Sequence, residues 1–333
     1  MSQQQTEKTE EKRHCAYCLK AISGDEVKKC AGCMRRAYCG RDCQVGDWGN
    51  KGQSHKTWCK DKLCEEDIDW EVRETQGKGL GVFAKRMLPK HTKIMVDRGY
   101  RTIKETPLDF INSLMPHGGT LQAKWDLNSF FTPEGGDNLG IRLARVNHDC
   151  RNNATNKYVT ELNSFVLIAI KDIAAGEEIT IQYYFYNDFS TIKQVRDIRE
   201  SIIKPKWDVV CDSTCVCKDA AVVDRIEKAH QLDASIPTMS LRTEADVRKA
   251  LQAVDNLIAM GEDLSSGIMA LSRTYYDGFQ LSITNQKTFP LHTKYIEKYL
   301  EAVEIVDSKH SNTYAEALRY KTFPESHRNH FSK

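Results

Sequence analysis

Eight side chains suited to binding a metal fall in four pairs between residues 15 and 59: Cys15 and Cys18, Cys30 and Cys33, Cys39 and Cys43, His55 and Cys59. Thiolate and imidazole are the preferred donors of zinc, and eight of them make two tetrahedral sites. A two-residue gap lets both thiolates of a knuckle reach one ion at about 2.3 Å. A three-residue gap places two ligands on one face of a helical turn. Spacing alone leaves sequential and interleaved pairings both open. So short a segment cannot bury a core of its own, so metal must supply its folding free energy.

A second group of chemically capable residues lies farther on. "RVNHDC" sets Asn147, His148, Asp149 and Cys150 in a row, and Cys211, Cys215 and Cys217 follow. By itself such a polar quartet reads as a turn. "GKGLG" at 77–81 reads as a hairpin connection, or as backbone that a ligand can approach closely because glycine lacks a Cβ. Tyr183 ends an alternating run in which Ile179, Ile181 and Tyr183 share one face and Thr180, Gln182 and Tyr184 the other. A tyrosine on an apolar face needs a partner for its hydroxyl, so it is a satisfied core residue or a placed catalytic group.

The elements that must position these groups are short strands in the middle of the chain. Val72, then Leu80, Val82 and Phe83, then Ile94 and Val96 fit strands around tight turns. "FVLIAI" at 165–170 is a fully buried type of strand, followed by a turn at 174–176. Beyond residue 218 the period becomes helical. Val247, Ala250, Leu251, Val254, Leu257 and Ile258 form one stripe. Ile268, Leu271, Tyr275 and Phe279 form a second, and Ile296, Tyr299, Leu300, Val303 and Val306 a third. The polar ending "FPESHRNHFSK" is expected to fray.

Composition limits the function classes. With 40% hydrophobic and 28% charged residues, the 333-residue chain reads as globular. "FVLIAI" is the longest apolar run. It is far short of the ~20 residues that span a bilayer. The amino-terminal stretch has no apolar segment of signal-peptide type, which predicts an intracellular protein of nucleus and/or cytoplasm with no membrane role. Twelve clustered cysteines then point to thiolate ligands rather than disulfides. The formal charge is +2. Two four-thiolate zinc sites at −2 each and one three-thiolate, one-histidine site at −1 would bring it to about −3. That balance argues against direct nucleic-acid binding. Lys28, Lys29, Arg35, Arg36, Lys51 and Lys56 either form a basic face or offset thiolate charge near the metals.

The segment 15–59 closely resembles the MYND zinc finger, whose ligand order it matches at all eight positions. The resemblance implies a cross-braced finger, with Cys15, Cys18, Cys39 and Cys43 on one zinc and Cys30, Cys33, His55 and Cys59 on the other. It also implies a peptide partner, proline-rich peptides included. "GKGLGVFAKRMLPKHTKI", "LNSF" at 127–130, "RVNHDC" and "GEEITIQYY" resemble, in order, the motifs of the SET domain of protein lysine methyltransferases. With the finger attached, the chain resembles the SET-MYND methyltransferases, and "SRTYYDGFQLSI" followed by a helical tail resembles fungal members.

The resemblance implies an α+β protein. It comprises a tail 1–14, a finger 15–59, a linker 60–69, a β-rich SET domain 70–188 with a knot-like crossing, a zinc-binding post-SET segment 189–219 and a helical domain 220–333. It implies transfer of a methyl group from S-adenosyl-L-methionine to a lysine of a protein substrate, histones among the candidates, leaving S-adenosyl-L-homocysteine. Gly77, Lys78, Gly79, Leu80, Asn128, Asn147 and His148 would hold the donor. Tyr183 would touch the donor and orient the amine, and Tyr184, Phe185 and Tyr186 would line the lysine channel. A third zinc would sit on Cys150, Cys211, Cys215 and Cys217. A monomer is expected.

Two departures separate the chain from its relatives. The finger precedes the SET domain where in many relatives it interrupts it. The spacing of Cys211, Cys215 and Cys217 differs from the usual post-SET pattern, and Val209 replaces an aromatic expected to stack on adenine, a role Trp207 is near enough to take. The competing reading is a zinc-finger scaffold whose SET domain has lost activity.

Overall fold

The computed structural model describes residues 12–49, 55–59, 61, 63–75, 78–115, 119–132, 136–183, 207, 211, 215, 218–264, 267–307, 309 and 311–332. Gly77, Tyr184, Phe185, Tyr186, Val209 and Cys217 lie outside them, as does the chain beyond Tyr183 that would thread the knot-like crossing.

Two small hairpins build the finger. β1 (Lys12–His14) pairs antiparallel with β2 (Ala21–Ser23), and β3 (Lys28–Lys29) with β4 (Ala37–Tyr38). Helices α1 (Arg41–Trp48) and α2 (His55–Trp58) follow. The expected helical turn holds for Cys43 but not for Cys39, which lies ahead of the Gly40 cap of α1. A bend at that cap does the work instead, bringing the two sulfurs to 3.4 Å. Cys15 and Cys30 are buried with Ala16, Ile22, Ala37 and Tyr38, so the ligands themselves form much of the small core.

The middle of the chain folds into two sheets. β5 (Trp70–Thr75), β6 (Gly79–Ala84), β10 (Asn147–His148) and β13 (Glu178–Ile181) make one, in the order β10-β13-β6-β5. β7 (Lys93–Tyr100), β8 (Phe130–Phe131), β9 (Asp137–Gly140), β11 (Ala154–Val159) and β12 (Ser164–Ala169) make the other, in the order β11-β12-β7-β9-β8. Every residue of β12 is buried, as its unbroken apolar run requires. The expected turn before β13 uses Gly176 at φ 83°, a left-handed conformation that favours glycine. Helices α3 (Leu108–Asn112) and α4 (Leu121–Asn128) lie between β7 and β8. Val82, Ile94, Leu167, Ile179 and Ile181 meet in one core, and Tyr183 packs against it just past the end of β13.

Helices α5 (Ala220–Ser235), α6 (Glu244–Leu264), α7 (Gly267–Ser282), α8 (His292–Val306) and α9 (Asn312–Thr322) form the carboxy-terminal region. The three apolar stripes lie on α6, α7 and α8, with Val247, Val254, Phe279 and Ile296 buried together. The chain end does not fray as expected. His327 is buried, its Nε2 within 3.1 Å of the Tyr276 hydroxyl and 3.3 Å of Gln280 Nε2. The Phe331 amide donates to Ile283 O at 2.8 Å. A polar segment can be ordered when its few polar atoms find fixed partners.

The finger is joined tightly to the rest. Trp58, at the end of α2, is 1% exposed and packs in a cluster with Val96, Val166, Leu271 and Val306, which come from the sheet and the helices. Charged side chains complete the junction. Arg36, 5% exposed, donates to both oxygens of Asp47 at 2.7 and 3.2 Å and lies 3.4 Å from Glu65. Arg35 and Arg86 both donate to Asp69, whose side chain is fully buried. Arg35 and Arg36 thus do not form a basic face, because buried carboxylates claim their guanidinium groups.

Candidate functional site

The eight finger ligands gather into two clusters, Cys15, Cys18, Cys39 and Cys43 in one and Cys30, Cys33, His55 and Cys59 in the other. The pairing is therefore interleaved. A tetrahedral zinc with bonds of about 2.3 Å places its sulfurs about 3.8 Å apart. Cys18 and Cys39 are 3.6 Å apart, Cys30 and Cys59 3.7 Å, and Cys33 Sγ lies 3.6 Å from His55 Nε2. Thiols this crowded cannot all ionise without a cation between them. Burial, followed by hydrogen bonding to Cys30, pushes Cys59 up to about 12. His55 goes the other way, to about 4, through burial and the nearby Arg36. It is therefore the neutral imidazole that zinc requires. Both clusters fit zinc.

A third cluster joins the SET region to the chain that follows. Cys150, Cys211 and Cys215 have their sulfurs within 4.8 Å of one another, and Cys150 and Cys211 are 3.5 Å apart. The Nε2 of His148 is 3.5 Å from Cys150 Sγ.

The residues expected to meet a donor come mostly from the first sheet. Asn147 and His148 on β10 pair in parallel with Thr180 and Ile181 of β13. The Asn147 amide donates to Leu80 O at 3.2 Å and to Glu178 Oε1 at 2.7 Å, while Lys78 Nζ is 3.9 Å from Glu178. Lys78, Leu80, Asn147 and Glu178 therefore form one connected patch. Glu178 was not among the sequence candidates, although it opens the Glu-x-x-x-x-Tyr motif that ends at Tyr183. Gly81 is fixed by this patch, since a Cβ there would lie 2.6 Å from Glu178 Oε1 and 2.5 Å from Thr75 Oγ1. Gly79 differs. It has φ 75°, and the space where its Cβ would stand is open. Its backbone is therefore approachable.

Tyr183 is held on both sides. Its ring lies 5.4 Å from that of His148 and 5.1 Å from that of Trp207, and its backbone N–H donates to His148 Nδ1 at 3.1 Å. Burial, with a smaller push from Glu178, raises its phenol to about 12. The hydroxyl therefore stays protonated at neutral pH. Trp207 Nε1 donates to Leu127 O at 2.9 Å.

A cleft of about 760 Å³ opens beside Tyr183, with Phe130, Tyr158, Phe165, Trp207, Asn128 and Asn156 among its walls. Asn128 ends α4 with its amide committed to Met115 O at 2.8 Å and Lys124 O at 2.7 Å. Asn156 escaped the sequence reading. The alternation of β11 around Ala154 and Tyr158 would have placed it on their buried face. Such a space admits an extended aliphatic chain with a polar end, between aromatic walls that tolerate a cation.

Comparison with known proteins agrees with this arrangement. The SET domain family matches residues 79–184 and the MYND finger family residues 15–59. SET domain-containing protein 14 of Caenorhabditis elegans is 43% identical over 47 residues, covering 14% of this chain and 10% of that protein. N-lysine methyltransferase SMYD2-A of Xenopus laevis is 33% identical over 78 residues, covering 23% and 16%. Histone-lysine N-methyltransferase set5 of Schizosaccharomyces pombe is 23% identical over 282 residues, covering 78% of this chain and 85% of that protein. The chain thus matches only a small part of the first two relatives and most of the third. Among the described residues no helix is long and apolar enough to cross a membrane. The chain thus carries a MYND finger followed by a SET domain, an arrangement similar to that of the SET-MYND methyltransferases.

Proposed function

We propose that this protein is a protein-lysine N-methyltransferase that uses S-adenosyl-L-methionine. The observation that carries the reading is the position of Tyr183, between the Asn147–His148 strand and an aromatic-walled cleft. Gly77, Lys78, Gly79, Leu80, Asn128, Asn147 and His148 would hold the donor, which when bound supplies an electrophilic methyl group on sulfur.

The protein's own groups do the rest by positioning and desolvation. A free lysine with pKa near 10.4 is neutral only about once in 2,500 molecules at pH 7, a cost of roughly 4.6 kcal/mol. A bound sulfonium would set a positive charge beside the amine, which disfavours the ammonium and lowers that cost. The protonated Tyr183 hydroxyl can orient the amine without adding charge, and His148 fixes the backbone from which Tyr183 projects. Tyr184, Phe185 and Tyr186 would extend the channel.

The same reading assigns zinc to the post-SET cluster, with Cys217 as its fourth ligand, and peptide binding to the finger, proline-rich peptides included. Tyr17, Val45 and Trp48 are exposed apolar residues there, and Tyr17 lies against Gly46, where a Cβ would come within 2.7 Å of its ring. The domain limits expected from the sequence, a monomeric state and a place in the nucleus and/or cytoplasm belong to this proposal. Incubation with labelled S-adenosyl-L-methionine and histones or other candidate proteins tests it. Label should appear on lysine with the wild type and vanish with Tyr183→Phe. Donor binding without transfer to any substrate would favour the scaffold reading.

A further inference from the structure

Asn156 is a polar side chain in a place built for apolar ones. It lies on β11 between Ala154 and Tyr158, which pack in the core with Phe165, Ile181 and Tyr183. It is 2% exposed and lines the cleft together with Tyr183, Trp207, Phe130 and Tyr158. Its Oδ1 is buried and has no hydrogen-bond partner among the described residues. An amide oxygen left bare in aromatic surroundings is costly, because water is lost and nothing replaces it. A donor arriving with a ligand would remove that cost once the amide turns its oxygen toward the cleft.

The cleft walls narrow the ligand's chemistry. On the methyltransferase reading, on which this inference rests, the group entering beside Tyr183 is a lysine side chain with N–H bonds at its tip. We propose that Asn156 Oδ1 accepts a hydrogen bond from the target nitrogen and limits the product to mono- or dimethyl-lysine.

The count of bonds at nitrogen shows why the acceptor discriminates. In each transfer the nitrogen lone pair forms an N–C bond as the S–C bond breaks, the electrons of that bond remain on sulfur, and the ammonium formed later gives a proton to solvent. Each transfer replaces one N–H with N–CH3. A monomethyl- or dimethylammonium still has an N–H for Asn156, whereas a trimethylammonium has none and leaves Oδ1 bare. In the wild type, Oδ1 therefore favours nitrogen that still carries hydrogen. A site that hydrogen-bonds such a group rejects the analogue lacking it far more strongly than an apolar pocket would.

The test does not need the natural substrate. The probes are analogues of the donor in which nitrogen replaces the sulfonium sulfur and carries an alkyl chain ending either in ammonium or in trimethylammonium. Their affinities are measured by calorimetry beside that of S-adenosyl-L-homocysteine. The wild type should prefer the ammonium-ended analogue by about tenfold or more. Asn156→Leu, of similar size without the acceptor, should bring the two to within about twofold while leaving S-adenosyl-L-homocysteine affinity unchanged. Asn156→Asp keeps the acceptor and should keep the preference, which makes it the deciding variant if the leucine form does not fold. Equal binding of the two analogues by the wild type, a preference that survives in Asn156→Leu, or its loss in Asn156→Asp would each overturn the proposal. Failure of S-adenosyl-L-homocysteine to bind the wild type would instead overturn the methyltransferase reading and this inference with it.

Discussion

The backbone N–H of Tyr183 donates to Nδ1 of His148 at 3.1 Å. As an acceptor, Nδ1 leaves the proton of a neutral ring on Nε2, which faces Cys150 Sγ at 3.5 Å. One imidazole thus spans from the proposed catalytic tyrosine to a cysteine of the third cluster. Through it, that cluster can fix the geometry of the proposed active site without touching substrate, in the way that outer hydrogen bonds orient metal ligands elsewhere.

Replacing Tyr183 by phenylalanine removes one hydroxyl and keeps the ring between His148 and Trp207. The fold should persist, with a stability change of no more than about 1 to 3 kcal/mol. Single-turnover methyl transfer should fall by about 10²-fold or more while donor affinity changes little, because the lost interaction acts mainly in the transition state. Near-normal turnover would exclude Tyr183 from the mechanism.

Purified protein should contain close to three zinc ions per chain, following its three ligand clusters. Cys215→Ser should lower the count by about one. Elemental analysis against protein concentration measures both. A wild-type count of two would reduce Cys150, Cys211 and Cys215 to a group of half-buried thiols.

Donor binding and finger metal should separate. His148→Ala removes a residue proposed to hold the donor, whereas Cys15→Ser acts only in the finger cluster. S-adenosyl-L-homocysteine affinity should therefore drop for the first and stay within about threefold of wild type for the second. Melting temperature should fall for Cys15→Ser, since Trp58 and Arg36 tie the finger to the remaining core. An equal loss of affinity in both variants would mean that the finger shapes the donor site.

Asp69→Asn tests that junction directly. Burial works against the Asp69 carboxylate, but Arg35, the Glu65 amide and Arg86 together hold its pKa below the usual aspartate range. The arginine side chains are 42% and 50% exposed. Solvent screening therefore reduces the loss expected for a broken buried pair to about 2 kcal/mol. A depressed pKa gives stability that is fully present above the unfolded value near 3.9 and lost as pH falls through the native one. The deficit of the variant in chemical unfolding should thus be the same at pH 6 as at pH 8. A deficit that changed across this range would assign the stabilisation to another group.

Local spacing made much of this protein legible in the sequence. The four ligand pairs, the alternation that carries Ile179, Ile181 and Tyr183 into one core, and the stripes of α6, α7 and α8 all depend on residues a few positions apart. Backbone geometry alone relates such neighbours. The order of the SET motifs was legible for the same reason, each motif being a short run.

What lies between distant segments was decided only by tertiary packing. Periodicity shows which face of an element is buried but not what it is buried against. It therefore gave no sign that Arg35 would pair with the buried Asp69, that Arg36 would turn inward to Asp47 and Glu65, or that His327 would be gripped by Tyr276 and Gln280. It could place Asn156 on the inner face of a strand. That this face would open on an aromatic cleft, with the amide oxygen unpaired, depended on Tyr183 and Trp207 arriving from far along the chain, and long-range contacts of that kind are set by the packed whole.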